Sequence, residues 1–239
     1  RDYSVGSFLR QSLLVVQWTS PDSDRLTWDG AAWTVSAEVL AYFVFPLLII
    51  LVWRMSAVLS RAQLLITPLL LVAPLSLMVL AFGTLYTPWF WLLRIGCGFT
   101  AGAALCAALG HVDIPRSRPI ANWLATLLPV AAIGLMYLLH GIGYGHLAAA
   151  FIAPLMVLIV GTFELANRGL GRLMASRPFV FGGKISYSVY LVHMPLVEIL
   201  WYEQNVRKSF VAGGLLSKIA FLVIPLAALA AGTLLWRYV

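Results

Sequence analysis

Long, uninterrupted apolar runs follow one another along this chain, at 34–53, 62–82, 89–109, 120–140, 146–163, 184–203 and 212–236. A bilayer core is about 30 Å thick and takes roughly 20 helical residues to cross. Most of the runs match that length, the one at 146–163 being the shortest. Hydrocarbon holds no water for a bare N–H or C=O, so a spanning segment is either a helix or a strand of a closed barrel. Barrel strands alternate apolar and polar residues; these runs do not, which leaves helices. Composition agrees, with 62% hydrophobic and 10% charged residues, where a soluble domain carries about 25% charged. The mean hydropathy is +0.92. The expected fold is therefore all-α, a multi-pass transmembrane bundle of about seven spans. It forms one domain over residues 1–239, read as cut at both ends from something longer, since it starts at Arg1 without a methionine and stops at Val239 just past the last run.

The basic residues give an orientation. Loops 54–61, 110–119 and 164–184 and the C-terminal end carry nine of them: Arg54, Arg61, Arg116, Arg118, Arg168, Arg172, Arg177, Lys184 and Arg237. The alternate loops, 18–33, 83–88, 141–145 and 204–211, carry only Arg25, Arg207 and Lys208. Short cytoplasmic loops are enriched in Lys and Arg, so the first set faces the cytoplasm. The same rule accounts for the net charge of +7 without nucleic acid, for which no basic, aromatic-interleaved surface exists. Cys97 and Cys106 share one run, about 13 Å apart along a helix and on opposite faces, too far for a disulfide. Seven prolines, at 46, 68, 74, 129, 154, 195 and 225, fall within runs and are tolerated where neighbouring helices satisfy freed carbonyls. Gly98 and Gly102 form a small-xxx-small pair suited to close helix packing. Residues 1–17 read either as the end of a preceding span or as an interfacial helix, and the polar stretch from Trp18 to Asp29, with Asp22 and Asp24, reads as a loop.

Ionisable groups inside a bilayer are costly and mark function by default. Glu38 and Arg94 each lie about five residues into a run that enters from the outer side, hence at similar depth, roughly 8 Å down. They are placed to form an ion pair or share a polar pocket. The competing reading sets Glu38 at a helix N-terminus that favours negative charge and lets Arg94 snorkel to the headgroups. His193, nine residues past Lys184, falls near the middle of its run, with Ser186 and Tyr190 within about 60° on the same helix face. A midplane imidazole suits proton transfer or substrate binding, and equally a bond to a neighbouring helix. His140 and His146 flank the turn 141–145 and make a poor metal site without a carboxylate. Gly182-Gly183-Lys184 lacks the spacing of a phosphate loop. The basic loop 164–184 attracts either an anionic cofactor such as coenzyme A or lipid headgroups. Glu198 and Glu203 lie toward the outer end of the sixth run, Glu203 in solvent.

Three segments resemble one family. Trp33-Thr-Val-Ser-Ala-Glu38-Val-Leu-Ala-Tyr42-Phe-Val-Phe-Pro46 is similar to the W-(S/T)-L-S-x-E-x-x-F-Y-x-x-F-P signature of the membrane acyltransferase 3 family. Arg94 to Gly102 resembles its R-x-x-x-x-F-x-x-G span, and Phe181-Gly-Gly-Lys-Ile-Ser186-Tyr187-Ser-Val-Tyr190-Leu-Val-His193-Met-Pro195 its G-x-I-S-Y-x-x-Y-L-x-H-x-P segment. Val35 stands where leucine is usual, and Leu40-Ala41 lacks the aromatic before Tyr42. The resemblance implies a fold of about ten spans, of which these residues match the C-terminal two-thirds. The family's catalytic histidine and its Arg-x-x-Arg motif would then lie upstream, and an E-x-P motif just past Val239. It implies a membrane O-acyltransferase that moves an acyl group, expected to be acetyl, from cytoplasmic acyl-coenzyme A to a hydroxyl of an extracytoplasmic glycan or related acceptor. Acyl-coenzyme A is the implied co-substrate, with no metal; membrane lipid and a carbohydrate or other hydroxyl acceptor are the implied partners, and a bacterial cytoplasmic membrane the implied location. Carried onto this chain, Glu38, Arg94 and His193 become the catalytic candidates, and Trp33, Ser36, Tyr42, Ser186, Tyr187 and Tyr190 the substrate-binding ones. The alternative is a transporter or flippase without acyl transfer, against which the lack of an internal inverted repeat counts.

Overall fold

The computed structural model describes residues 3–21, 28–84, 86–207 and 214–238. Asp22, Asp24, Arg25 and Lys208, all assigned to outer loops, lie outside the described residues. Within them the chain is helical: α1 (Val5–Ser12), α2 (Ala32–Val58), α3 (Arg61–Phe82), α4 (Phe90–Leu109), α5 (Ile114–Gly141), α6 (Gly145–Leu165), α7 (Gly169–Met174), α8 (Arg177–Asn205) and α9 (Leu215–Tyr238). Six of these, α2 to α6 and α9, are long and apolar enough to cross a membrane. The remaining run, 184–203, lies in α8, whose 29 residues reach about 43 Å. Length is ample there; Lys184, Ser186, Ser188, His193 and Glu198 make it more polar than the others. The bundle of about seven spans thus stands, with its most polar helix carrying four of the nine candidate residues. At eight residues α1 is about 12 Å long and crosses nothing. Ser4 caps it, its Oγ accepting the Ser7 N–H at 3.1 Å. All seven prolines noted in the runs sit inside intact helices.

Burial is inverted relative to a protein in water. The fully buried positions are mostly small, among them Ala37, Ala101, Ala108 and Ala125, while Phe43, Trp123, Tyr137 and Phe221 are largely exposed. Apolar surface on that scale would drive aggregation in water. In lipid, helices associate by close packing of small residues and leave the large ones to the acyl chains.

The chain clusters into two compact units. One comprises residues 17–21, α2 from Ala37 onward, and α3 to α7. Here α3 packs on α4 and α6, and α5 on α6. Tyr42 and Phe45 of α2 meet Phe99 of α4 edge-on, with centroids 5.9 and 5.7 Å apart. Segment 17–21 is tied to the start of α4: Trp91, almost fully buried, donates from Nε1 to the Ser20 carbonyl at 3.1 Å. At the opposite end of α4, the turn after α6 is fastened to α5. Asn122 Oδ1 accepts from the backbone N–H groups of Asn167 and Arg168 at 2.8 and 2.9 Å. Gly169 continues that turn at φ +60°, where a side chain would strike Thr126 Oγ1 at 2.7 Å.

The other unit comprises α1, residues 28–36, α8 and α9. Its central contact is α8 against α9, closest where Gly232 meets Val189: a Cβ on Gly232 would lie 2.8 Å from both Val189 N and Cα. The close approach expected at Gly98 and Gly102 is not found, since a Cβ there meets nothing within 4 Å. The close approach lies instead at Gly232, because it depends on what the partner helix presents. Adding a methyl group against rigid backbone overpacks a contact by about 1–3 kcal/mol. Gly232→Ala should therefore lower the thermal midpoint of the detergent-solubilised chain clearly, whereas Gly98→Ala should leave it within error; equal midpoints for the two variants would contradict this packing.

Candidate functional site

The unit holding α8 gathers a polar cluster around the beginning of α2. Asp29 builds the entry turn: its carboxylate Oδ1 accepts the Ala31 N–H at 2.9 Å, and its own N–H donates to Gln11 Oε1 of α1 at 3.3 Å. Short polar side chains favour such positions because they satisfy backbone donors that the first helical turn leaves open. In that first turn Thr34 Oγ1 donates to the Ala31 carbonyl at 2.9 Å, and the Thr34 and Tyr190 hydroxyls share a hydrogen bond of 3.0 Å. One turn along α8, the His193 ring lies beside the Tyr190 ring, with centroids 5.3 Å apart, and its Nδ1 bonds the Tyr190 carbonyl. A carbonyl only accepts, so Nδ1 carries a proton and Nε2 keeps its lone pair in the neutral ring. That is the arrangement of a base with one nitrogen anchored and the other available.

His193 is the seventeenth of the 29 residues of α8, near the middle of that helix, and is half-buried. One turn before it, Tyr190 pairs with Thr34, the third residue of α2. Of its expected stripe, Tyr190 joins the cluster, while exposed Ser186 turns its hydroxyl back to the Gly183 carbonyl at 2.8 Å. Tyr187 and Asp29, with Gln11, line a cavity of about 390 Å³. Trp33 is half-buried and Ser36 wholly enclosed.

Glu38, Tyr42 and Arg94 belong to the other unit. Glu38 is half-buried, and Tyr42 rests its ring on Phe99. Arg94 reaches back toward the start of α4, its guanidinium carbon 5.0 Å from the Tyr86 ring centroid. This cation–π contact replaces the anticipated pairing: among the described residues no ion pair joins Arg94 to Glu38. Similar depth on two helices did not decide the partner, because the arginine side chain is long enough to leave its own level. The basic loop divides likewise. Arg168 and Arg172 follow α6, near a cavity of about 490 Å³ that Cys106 and Glu164 line, while Arg177 and Lys184 open α8 in the unit with α1 and α9.

Two participants were missed in the sequence, Asp29 and Thr34. An aspartate just ahead of an apolar run is a helix-start signal, and that signal could have lifted Asp29 out of the loop assignment. Thr34 had no signal beyond its place in the motif.

A family model described as an acyltransferase domain matches residues 3–237. No curated protein and no solved structure matches the chain.

Burial pushes the Asp29 carboxyl above the ordinary aspartate range, against the opposing pull of the Ala31 N–H and of the positive charge on His193. A folded-state pKa raised in this way means the native protein holds its proton more tightly than the unfolded chain. The associated stability is present below the unfolded pKa, near 3.9 for aspartate, and is lost as pH rises through the raised value. Asp29→Asn should therefore show a thermal midpoint that falls less than the parent's as pH rises from about 4, followed by unfolding in buffered detergent. Parallel curves would contradict the assignment.

Proposed function

The chain belongs to the acyltransferase 3 family and is a multi-pass membrane acyltransferase. From that premise we propose that it transfers an acyl group, acetyl in the simplest case, from cytoplasmic acyl-coenzyme A to a hydroxyl of an extracytoplasmic glycan or related acceptor. The membrane is a bacterial cytoplasmic one, with the arginine-rich loops inward. The observation that carries the reading is His193, anchored through Nδ1 by the Tyr190 carbonyl on a helix held to α2 by the Thr34–Tyr190 bond.

The reaction needs a base for the hydroxyl and donors for the oxyanion. In this proposal the acceptor oxygen attacks the thioester carbonyl as His193 Nε2 takes its proton. The new C–O bond forms, the C–S bond breaks, and the proton passes to the departing thiolate. Arg94 and Glu38 are assigned to the acceptor, Trp33, Ser36 and Tyr42 to substrate binding, and Ser186, Tyr187 and Tyr190 to the acyl group's route. Arg168, whose backbone Asn122 fixes, and Arg172 attract the phosphates of the donor.

General acid–base catalysis contributes about 10²–10⁴-fold. His193→Ala and Glu38→Ala should each lower acyl transfer from labelled acyl-coenzyme A by at least about 100-fold, with membrane insertion unchanged. Full activity in both variants would remove these side chains from the mechanism. Movement of the acceptor across a vesicle by the unaltered protein, without any use of acyl-coenzyme A, would favour a transporter.

A further inference from the structure

Asp29 carries two properties, and the entry turn of α2 uses only one of them. Its Oδ1 caps that turn by accepting the Ala31 N–H at 2.9 Å. An asparagine or serine oxygen caps a helix start about as well as a carboxylate does. The negative charge is the property left over, and on a half-buried side chain it costs free energy unless an opposite charge offsets it. Such a carboxylate calls for a cation within reach.

The bonding leads from Asp29 to His193. Ala31 is the first link, its N–H bound to Asp29 and its carbonyl accepting from Thr34 at 2.9 Å. Thr34 shares its 3.0 Å bond with the Tyr190 hydroxyl, and the Tyr190 carbonyl holds His193 Nδ1. Asp29 also lines the cavity of about 390 Å³ together with Tyr187 and Leu191, which stand on either side of Tyr190 along α8. The carboxyl therefore faces the stretch of α8 that leads to His193. The two charges interact as well: a positive His193 draws Asp29 toward its ionised form, against the burial that opposes it. Attraction between charges is mutual, so the carboxylate stabilises a charged imidazole in return.

We infer that Asp29 is a positioning residue for the base: its carboxylate stabilises the imidazolium that His193 becomes on taking the acceptor's proton at Nε2. Asp29 neither gains nor loses a proton, and the ring returns to neutral when the thiolate takes the proton up. The catalytic consequence rests on the acyl-transfer reading above; the pairing of the two side chains does not.

Two substitutions separate cap from charge. Asp29→Asn keeps an oxygen for the Ala31 N–H and loses the charge. Asp29→Glu keeps the charge, which the adjoining cavity has room to seat, and is a poor cap. The assay uses the full chain in lipid nanodiscs, with labelled acetyl-coenzyme A and methyl β-D-glucopyranoside as acceptor. Asp29→Asn should lower kcat about tenfold and leave KM for acetyl-coenzyme A unchanged, while Asp29→Glu keeps most of the rate. A cap alone gives the reverse order, asparagine active and glutamate impaired, and that order overturns the proposal. In a His193→Ala background Asp29→Asn should cost nothing further; a second tenfold loss there overturns it too. Asp29→Ser, also a cap without charge, gives another reading should Asp29→Asn fail to insert. Independently of turnover, the ring ¹⁵N resonances of His193 should move on Asp29→Asn and hold on Asp29→Glu, and resonances indifferent to Asp29→Asn overturn the pairing. Should they move as expected while the unaltered protein transfers no acetyl group, the acyl-transfer reading falls and the pairing stands.

Discussion

A backbone hydrogen bond has no substitute in hydrocarbon, and that constraint orders everything else in this chain. It makes each spanning segment a helix, keeps helices continuous through Pro46, Pro129 and Pro225, and reverses the usual assignment of residue sizes. With no water to expel between helices, the contacts that remain are those where backbones approach closely. Gly232 against Val189 and the buried alanines along α4 and α5 are the result.

Polar side chains are admitted only where something satisfies them. The start of α2 shows how: Asp29 closes the entry turn, Thr34 bonds both its own backbone and Tyr190, and Tyr190 in turn anchors His193 through its carbonyl. Each group both meets its own hydrogen-bonding need and positions the next. Chemistry assembled in this manner sits where the start of α2 meets the middle of α8, because an entry turn supplies open backbone donors that a mid-span stretch does not.

Much of the fold was legible in the sequence. Apolar run length and the absence of alternation pointed to the helices, and α8, the most polar of the seven, was still identified by its apolar run 184–203. Individual partners were less readable. Arg94 and Glu38 are expected at matching depths from the sequence, yet Arg94 turns to Tyr86, since a long flexible side chain chooses among several neighbours that linear order does not reveal. Gly98 and Gly102 satisfy the packing pattern without making the contact, because closeness depends on the opposing helix. Asp29 was hidden by its setting in a polar stretch, though its position ahead of the run carried the cap signal. Period grouped Ser186 with Tyr190 and His193 on one face of α8, but it does not give their partners: the Ser186 hydroxyl returns to its own helix.

The account depends on α2 beginning on the outer side and the α6–α7 turn lying inside. Cysteine labelling in sealed vesicles of known orientation decides this, with Cys97 and Cys106 changed to serine. An impermeant maleimide should modify Gly30→Cys from the outer face, and should modify Arg168→Cys only after the membrane is opened. Labelling of both positions from one side, or the reverse pattern, would contradict the threading on which the placement of His193 rests.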